Sequence, residues 1–393
     1  MSQYRTRNRQ VAAKIQASVG TEETPAADTD AIRVRVATQF DPQFDNLETD
    51  YLQGALDQSG PITGGGMIRR QMPCYLKGSG TPATPPDMGK LLRAAGYEQV
   101  ITATDVVGQA QGGTTSSITL AVGASATNDA YKGMPITHEG SSGLVQKRVV
   151  TAYNGSTKVA TVYPDFDTAP VSGDDYTIPA GVLYRPRSSG LEAITLVEWG
   201  HSSVAGNNSR RRRLADGAAT FNLSVSPRAL AQIDFTVTGR LPAAPDDVAK
   251  PAAPVYQSSE PAPVLDAIAF LGGEIIRFNE LTFDVGNDVQ LADDPTEEFG
   301  YGPAEIVNRN GQGRLVVPQR LLDAGGNVFD RWLAGTPDTL WTYWGPAAGR
   351  LVSLLLPAIR YTGAAPGDTR GYASETCPYR ANVADGSSYI WVG

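Results

Sequence analysis

Apolar and polar positions alternate with a period of two through much of this chain. The run AIRVRVATQF sets Ile32, Val34 and Val36 against Arg33 and Arg35, and GLEAITLVEW carries Leu191, Ile194, Leu196 and Val197. TFNLSVSPRALAQIDFTVTG reads as two alternating runs about a polar turn. Each predicts a β-strand. Two short stretches have helical spacing instead. MGKLLRAAG places Leu91 and Leu92 on one face before Gly96, and VFDRWLAG brings Phe329, Trp332 and Leu333 together before Gly335.

The surroundings of the two helical stretches are alike. Gly60 to Glu98 and Val307 to Gly345 both open on a Gly-rich turn, pass a basic residue (Arg69 and Arg70; Arg314) and enter an apolar run around a proline, Pro73 or Pro318. A helix follows each time, then a β-branched or aromatic run, a polar loop and two alternating strands, the last pair lying in ETCPYRANVADGSSYIWVG. An internal repeat of this kind predicts one β-fold used twice in tandem. From Thr104 to Thr177 the texture changes to short β runs about an Asn154-Gly155 turn, a strong hairpin signal. The second half has only YWGPAAGR at the matching place, so this stretch is expected to be a small β-domain inserted into the first repeat, projecting outward and removable.

The expected organisation is therefore an N-terminal arm (1–30), a discontinuous first domain (31–104 and 183–239), the inserted β-domain (105–182), a Pro/Ala linker (240–267) and a second domain (268–393). The arm carries Arg5, Arg7, Arg9 and Lys14 and then TEETPAADTD, which offers little to pack, so it is expected to be disordered or laid on a neighbouring subunit. The linker, if extended at about 3.1 Å per residue, joins domains that sit side by side. Each half also carries a long acidic segment. It contains Asp41, Asp45, Glu48 and Asp50 in the first half, and Asp293, Asp294, Glu297 and Glu298 in the second.

Composition agrees with a β-rich chain of more than one domain: 393 residues, 42 Gly, 27 Pro and only 19% charged residues. With 41 acidic against 33 basic residues the net charge is −8, which gains nothing from counterion release on nucleic acid. Two cysteines, Cys74 and Cys377, are too few for a disulfide framework and read as small buried side chains. No stretch reaches the roughly 18 apolar residues of a membrane span.

Candidate chemistry is thin. His138 and His201 stand in polar loops with no partner at ligand spacing, and the glycines at 64–66 and 311–313 lack a phosphate-binding signature. The acidic segments lack EF-hand spacing. The one dense basic feature is Arg210, Arg211, Arg212 and Arg213, readable as a solvated loop, an ion-paired contact with another subunit, or a nucleic-acid contact. These patterns point away from an enzyme.

In order, RNRQVAAKIQASVGTEETPAADTDAI, LETDYLQGALDQSGPITGGGMIRRQMPCYLKGSG with PPDMGKLLRAAG, and LTFDVGNDVQ through GQGRLVVPQ to FDRWLAG resemble the tail tube (major tail) proteins of long-tailed phages, in their duplicated form. The inserted stretch resembles a β-module that recurs in phage structural proteins. The resemblance implies two tandem antiparallel β-sandwiches, each with a flanking helix, and no catalytic, cofactor or metal site. It implies a virion protein, assembled in the host cytoplasm, that polymerises as stacked rings around the conduit for genome ejection. Expected partners are further copies of the chain, as pseudo-sixfold trimers or alternatively hexamers, with tape measure, tail terminator and distal tail proteins at the ends. DNA passes without specific binding, and no membrane is involved. The family's rings stack through loops like the acidic segments here, so Arg210 to Arg213 are expected to meet such a loop of an adjacent ring. The alternative is a carbohydrate- or receptor-binding β-module of a virion, which would need exposed aromatic residues; Trp332, Trp341, Tyr343 and Trp344 are the only dense group and are expected in the core.

Overall fold

A computed structural model of the chain describes residues 4–36, 40–49, 51, 57, 59–202, 209–319, 328–381 and 383–393. Eight strands follow one another edge to edge in one antiparallel sheet: Phe40–Leu47, Ile62–Tyr75, Gln232–Arg240, Ser209–Val225, Glu280–Asp284, Gln312–Pro318, Tyr372–Arg380 and Ala365–Thr369. The first four come from the first half of the chain and the last four from the second. The same order is used twice: a hairpin strand, its partner, then a second hairpin paired through its later strand. The halves meet in one ladder, Asn222 opposite Asp284 through Val225 opposite Leu281.

Alternation fixes the two faces of this sheet. Ile233, Phe235, Leu223, Leu281, Phe283 and Leu315 are buried, while Asp234, Asn222, Gln312 and Arg314 between them are exposed. The buried face packs on a second layer made of Tyr97–Thr102, Gly181–Pro186, Tyr389–Val392, Val352–Tyr361, Asp338–Trp344 and Ile268–Leu271. One apolar core runs through both halves. Phe221 stands at the junction, its ring 5.5 Å from Tyr97, 5.6 Å from Phe235 and 6.2 Å from Phe283. The fold is thus mainly β, a doubled sandwich whose two repeats share a core.

The strand Ser209–Val225 serves two sheets. Its first part pairs with Ile194–Ser202 and Asp246–Val248, its last part with Gln232–Arg240 and Glu280–Asp284. The turn between them comes at Asp216, with φ 51°, and Gly217, where both ladders slip register. A Cβ on Gly217 would come within 2.6 Å of the Leu214 side chain, so the close approach needs glycine.

Several expectations are corrected. The N-terminal segment is neither disordered nor free, because Tyr4–Ile15 is a twelve-residue strand on Ile194–Ser202 with Val11, Ala12 and Ala13 buried. AIRVRV is not a strand; Ala31 bridges Ala12, Ile32 is buried, and the Arg35 N–H donates to the Pro73 carbonyl at 2.7 Å. Much of the first acidic segment is the strand Phe40–Leu47 rather than loop. The arginine run is likewise strand, held between two neighbours. The Pro/Ala segment is no free spacer: Val264 is buried, Lys77 Nζ donates to the Ser259 carbonyl at 2.9 Å, and Asp246–Val248 joins a sheet. The closing strands Tyr372–Arg380 and Tyr389–Val392 do not pair with each other but enter different layers. Helix Gly89–Ala94 buries Leu91 and Leu92 as expected, whereas helix Val328–Ala334 leaves Trp332 and Leu333 exposed to 38% and 78%.

The stretch between Tyr97–Thr102 and Gly181–Pro186 forms a separate seven-stranded sheet. Its hairpin at Asn154-Gly155 forms, with Asn154 Oδ1 accepting the N–H groups of Ser156 and Thr157. The sheet does not simply project. Its apolar side continues into a cluster with Phe270, Trp341, Tyr343, Leu355, Tyr389 and Trp391 of the second half, and Trp341 and Trp391 are wholly buried there. Excision of residues 105–180 with a short Gly/Ser bridge would uncover these rings, each at a cost of about 1.5–3 kcal/mol. The excised protein is expected to unfold at lower temperature and to aggregate. A soluble product with the parental unfolding midpoint would show that the second layer needs no cover.

Candidate assembly surfaces

The eight-stranded sheet turns a polar face outward. Along one row across it lie Asp234, Asn222, Asp284, Gln312 and Arg380, and along the next Gln232, Ser224, Thr282 and Arg314. Charges of both signs are interspersed and partly neutralise one another: Arg314 binds Glu280 at 2.7 Å and Arg35 binds Asp234 at 2.7 Å. Phe40–Leu47 pairs only with Ile62–Tyr75, and Ala365–Thr369 only with Tyr372–Arg380, so among the described residues the sheet ends on two half-paired edges. Pro42 and Pro366 remove a donor from each edge, which blunts indiscriminate strand addition.

The two acidic segments meet within the chain. The second forms the hairpin Asn287–Asp293 with Tyr301–Arg309, and its turn lies against the first half. Gly66 N–H donates to the Phe299 carbonyl at 3.0 Å, Tyr301 OH donates to Asp45 Oδ2 at 2.9 Å, and Arg240 Nη1 binds Glu297 Oε2 at 2.8 Å. The hydrogen bond to Asp45 is the main reason the Tyr301 phenol is pushed above its ordinary pKa. Asp294 is held below the usual carboxylate range, first by the Thr296 hydroxyl and then by the Thr296 N–H. Asp41, Glu48, Asp293 and Glu298 are exposed, and Asp50 lies outside the described residues.

All four arginines of the run have partners in their own chain: Arg210 with Asp247 at 2.8 Å, Arg211 with Asp246 at 2.5 Å, Arg212 with Glu198 at 3.1 Å, and Arg213 with Glu22 at 3.2 Å. Sequence reasoning missed these pairs because Asp246 and Asp247 sit in a Pro/Ala segment that looked like linker. Arg210 and Arg211 are pushed up chiefly by the hydrogen bonds they donate to those carboxylates, and both carboxylates are lowered by the same bonds. Glu198 is the focus of a deeper cluster. It is wholly buried and binds Arg70 at 2.6 Å, Arg212 at 3.1 Å and Arg9 at 3.4 Å, joining three strands. Arg70 is itself 1% exposed, and burial pushes its pKa down despite the carboxylate.

A family profile of phage tail tube proteins matches residues 6–381. The chain belongs to the phage tail tube protein family. No curated protein matches its sequence significantly. Membership makes it a structural component of a phage tail, and the family's function is self-assembly rather than catalysis. The remaining chemistry of this tail tube protein is structural. His138, placed by its sequence in a polar loop, is buried in the inserted sheet with Nε2 2.9 Å from Asp174 Oδ2, and His201 Nδ1 lies 2.8 Å from the Ser209 hydroxyl. Trp341, Tyr343 and Trp344 are buried, so the dense aromatic group is core apart from Trp332. The described residues contain no group of three or more metal-ligating side chains, and none of their helices is long and apolar enough to cross a membrane.

Removing the buried carboxylate should be costly. Glu198→Ala leaves Arg70 charged and buried, and is expected to lower unfolding free energy by about 3–5 kcal/mol in denaturant titrations. Arg210→Ser, which breaks an exposed ion pair and the contact of its guanidinium with the Tyr4 ring, is expected to leave the midpoint near that of the parent. Asp174 supplies a pH signature. The Val171 N–H foremost, and then His138, hold its carboxyl below the ordinary aspartate range. The stabilisation is therefore complete at neutral pH and is lost as pH falls through the lowered pKa, below about 3.9. Asp174→Asn is expected to be less stable at pH 7 and to converge with the parent in strong acid. Parallel stability curves down to that range would contradict the assignment.

Proposed function

We propose that this tail tube protein closes head to tail into rings of three copies, and that stacked rings form the conduit through which viral DNA leaves the virion. The supporting observation is the doubled sheet: each chain repeats one four-strand order and ends on two edges of the kind that are joined internally. The ladder between Asn222–Val225 and Leu281–Asp284 is the pattern for closure. Transferred by strand order to the free edges, it sets Ala365–Thr369 of one copy against Phe40–Leu47 of the next, with Gly367 opposite Gln43. Six four-stranded units then surround a lumen lined by the mixed-charge polar face, a surface without the positive bias that would hold DNA. The inserted sheet lies on the opposite layer and so faces outward. Stacking between rings falls to surfaces other than the arginine strand, whose charges are met in the chain; exposed Glu48, Asp293 and Glu298 are available for it, while Asp41, opposite Arg69, is on the polar face.

The register makes the proposal testable. Gly367 and Gln43 would form a non-hydrogen-bonded pair, the closer of the two antiparallel spacings and within disulfide reach. The double variant Gly367→Cys, Gln43→Cys is expected to oxidise into a covalent ring that runs as three copies in denaturing gels without reductant. A ladder ending at six copies would replace the trimer by the hexamer, and a protein that stays monomeric by electron microscopy and sedimentation would sink the ring altogether.

A further inference from the structure

Beside the N-terminal strand lies a cavity of about 560 Å³ whose charged lining is entirely arginine. Arg7 and Arg9 enter it from the strand Tyr4–Ile15, Arg33 and Arg35 from the segment after Ile32, and Arg70 from the strand Ile62–Tyr75. No carboxylate stands among the described residues that line it. Residues 37–39, a little further along the chain, lie outside the described residues and are Ala, Thr and Gln, so they bring no charge.

Carboxylates around the cavity answer only part of this charge. Glu198 is shared by Arg9, Arg70 and Arg212, while exposed Glu260 meets Arg33 at 3.1 Å and exposed Asp234 meets Arg35 at 2.7 Å. Asp87 Oδ2 accepts the Arg33 N–H at 3.3 Å. Arg7 is exposed and has no ion-pair partner among the described residues. Six guanidiniums thus stand against four carboxylates, in a chain whose net charge is −8. Arg35 Nε is buried without a hydrogen-bond partner among the described residues. Burial foremost, and beside it the like charges of Arg9 and Arg212, act against the charge of Arg70. The walls are also fixed in advance. The Ile32 N–H donates to the Val11 carbonyl at 2.9 Å, the Val255 N–H to the Asp28 carbonyl at 2.9 Å, and Gln257 Nε2 to the Pro85 carbonyl at 2.8 Å. Arg33 rests 5.3 Å from the centre of the Tyr256 ring and Arg35 5.5 Å from that of Tyr75. A ligand therefore meets donors that are already ordered, which lowers the entropic cost of binding.

We propose that this cavity binds a compact polyanion of the oligophosphate class. Arginine rather than lysine supplies every basic group of the wall, and its planar fork matches phosphate oxygens two at a time. A single phosphate occupies one or two such forks. Several phosphates in a row are needed to reach from exposed Arg7 and Arg33 to the half-buried Arg35 and the buried Arg70, and the volume is that of a small-molecule site. Bound there, the anion ties the N-terminal strand to the polar sheet through arginines of both, a link separate from Glu198.

Calorimetric titration of the full, unassembled chain with inorganic triphosphate is expected to show one site per chain, and the thermal midpoint is expected to rise with triphosphate concentration. Arg7→Ala and Arg33→Ala, both at exposed positions, are expected to keep the parental midpoint without triphosphate and to weaken binding at least about tenfold. Arg314→Ala removes the same charge from the second half and is expected to bind as the parent does. Equal weakening by all three variants would reduce the effect to general charge and overturn the site, as would the absence of binding at low salt. Tighter binding of a polyglutamate peptide or a single-stranded oligonucleotide than of triphosphate would overturn the oligophosphate assignment. ATP titrated beside triphosphate distinguishes the sources: equal affinity assigns the phosphates alone, and tighter binding of ATP adds a nucleoside. Binding is read before assembly, so its failure leaves the ring standing.

Discussion

The ladder that joins Asn222–Val225 to Leu281–Asp284 is the constraint on which the rest of the molecule depends. It turns two four-stranded units into one sheet, and so sets one apolar face and one polar face across the whole chain. Its hydrogen bonds alone contribute modestly, about 0.5–1.5 kcal/mol each. Packing contributes more, because Phe221 and Phe283 enter the core side by side at the seam and bring Tyr97 and Phe235 with them. The second layer, drawn from both halves, closes over the seam, so neither half keeps a core of its own.

A strand long enough to reach that seam must also leave the sheet, and the bend at Asp216-Gly217 lets it. Beyond the bend, the same strand carries its arginines into a different pairing, where Arg212 meets buried Glu198 beside Arg70. A carboxylate surrounded by guanidiniums is weak support for stability as such, but it discriminates sharply between correct and incorrect packing. Here it ties the strand Ile194–Ser202 to the N-terminal strand through Arg9 and to the polar sheet through Arg70. The inward Arg70 breaks the apolar alternation of its strand at the one place where a buried anion can answer it.

The doubling, the two helices and the inserted β-sheet were legible in the sequence, since each rests on local pattern or turn chemistry. What stayed hidden was long-range pairing. Nothing local marks Tyr4–Ile15 as a strand, because its arginines and apolar residues make sense only against Ile194–Ser202. Arg210 to Arg213 look like a loop until Asp246 and Asp247 are brought alongside, and Trp341 and Trp391 show no sign of the inserted sheet that covers them. The acidic residues of the two halves look alike in sequence. They share a role at hairpins, but which carboxylate meets Tyr301 or Arg240 depends on how one half lies across the other.

The same physics bears on the two open edges of the sheet. Phe40–Leu47 and Ala365–Thr369 are short, carry Asp41, Asp45 and Asp368, and lose donors at Pro42 and Pro366. An edge so interrupted gains little from pairing by itself, and chance contact between two such edges is readily reversed. Inside the chain the equivalent ladder is secured by a second contact, the hairpin lying across the neighbouring half, whose Asn287 and Arg240 interactions fall away only if the halves separate. Pairing and seating act on one rigid sheet, so each raises the effective concentration of the other. Within the chain, an edge that is weak by itself is held because both contacts form together.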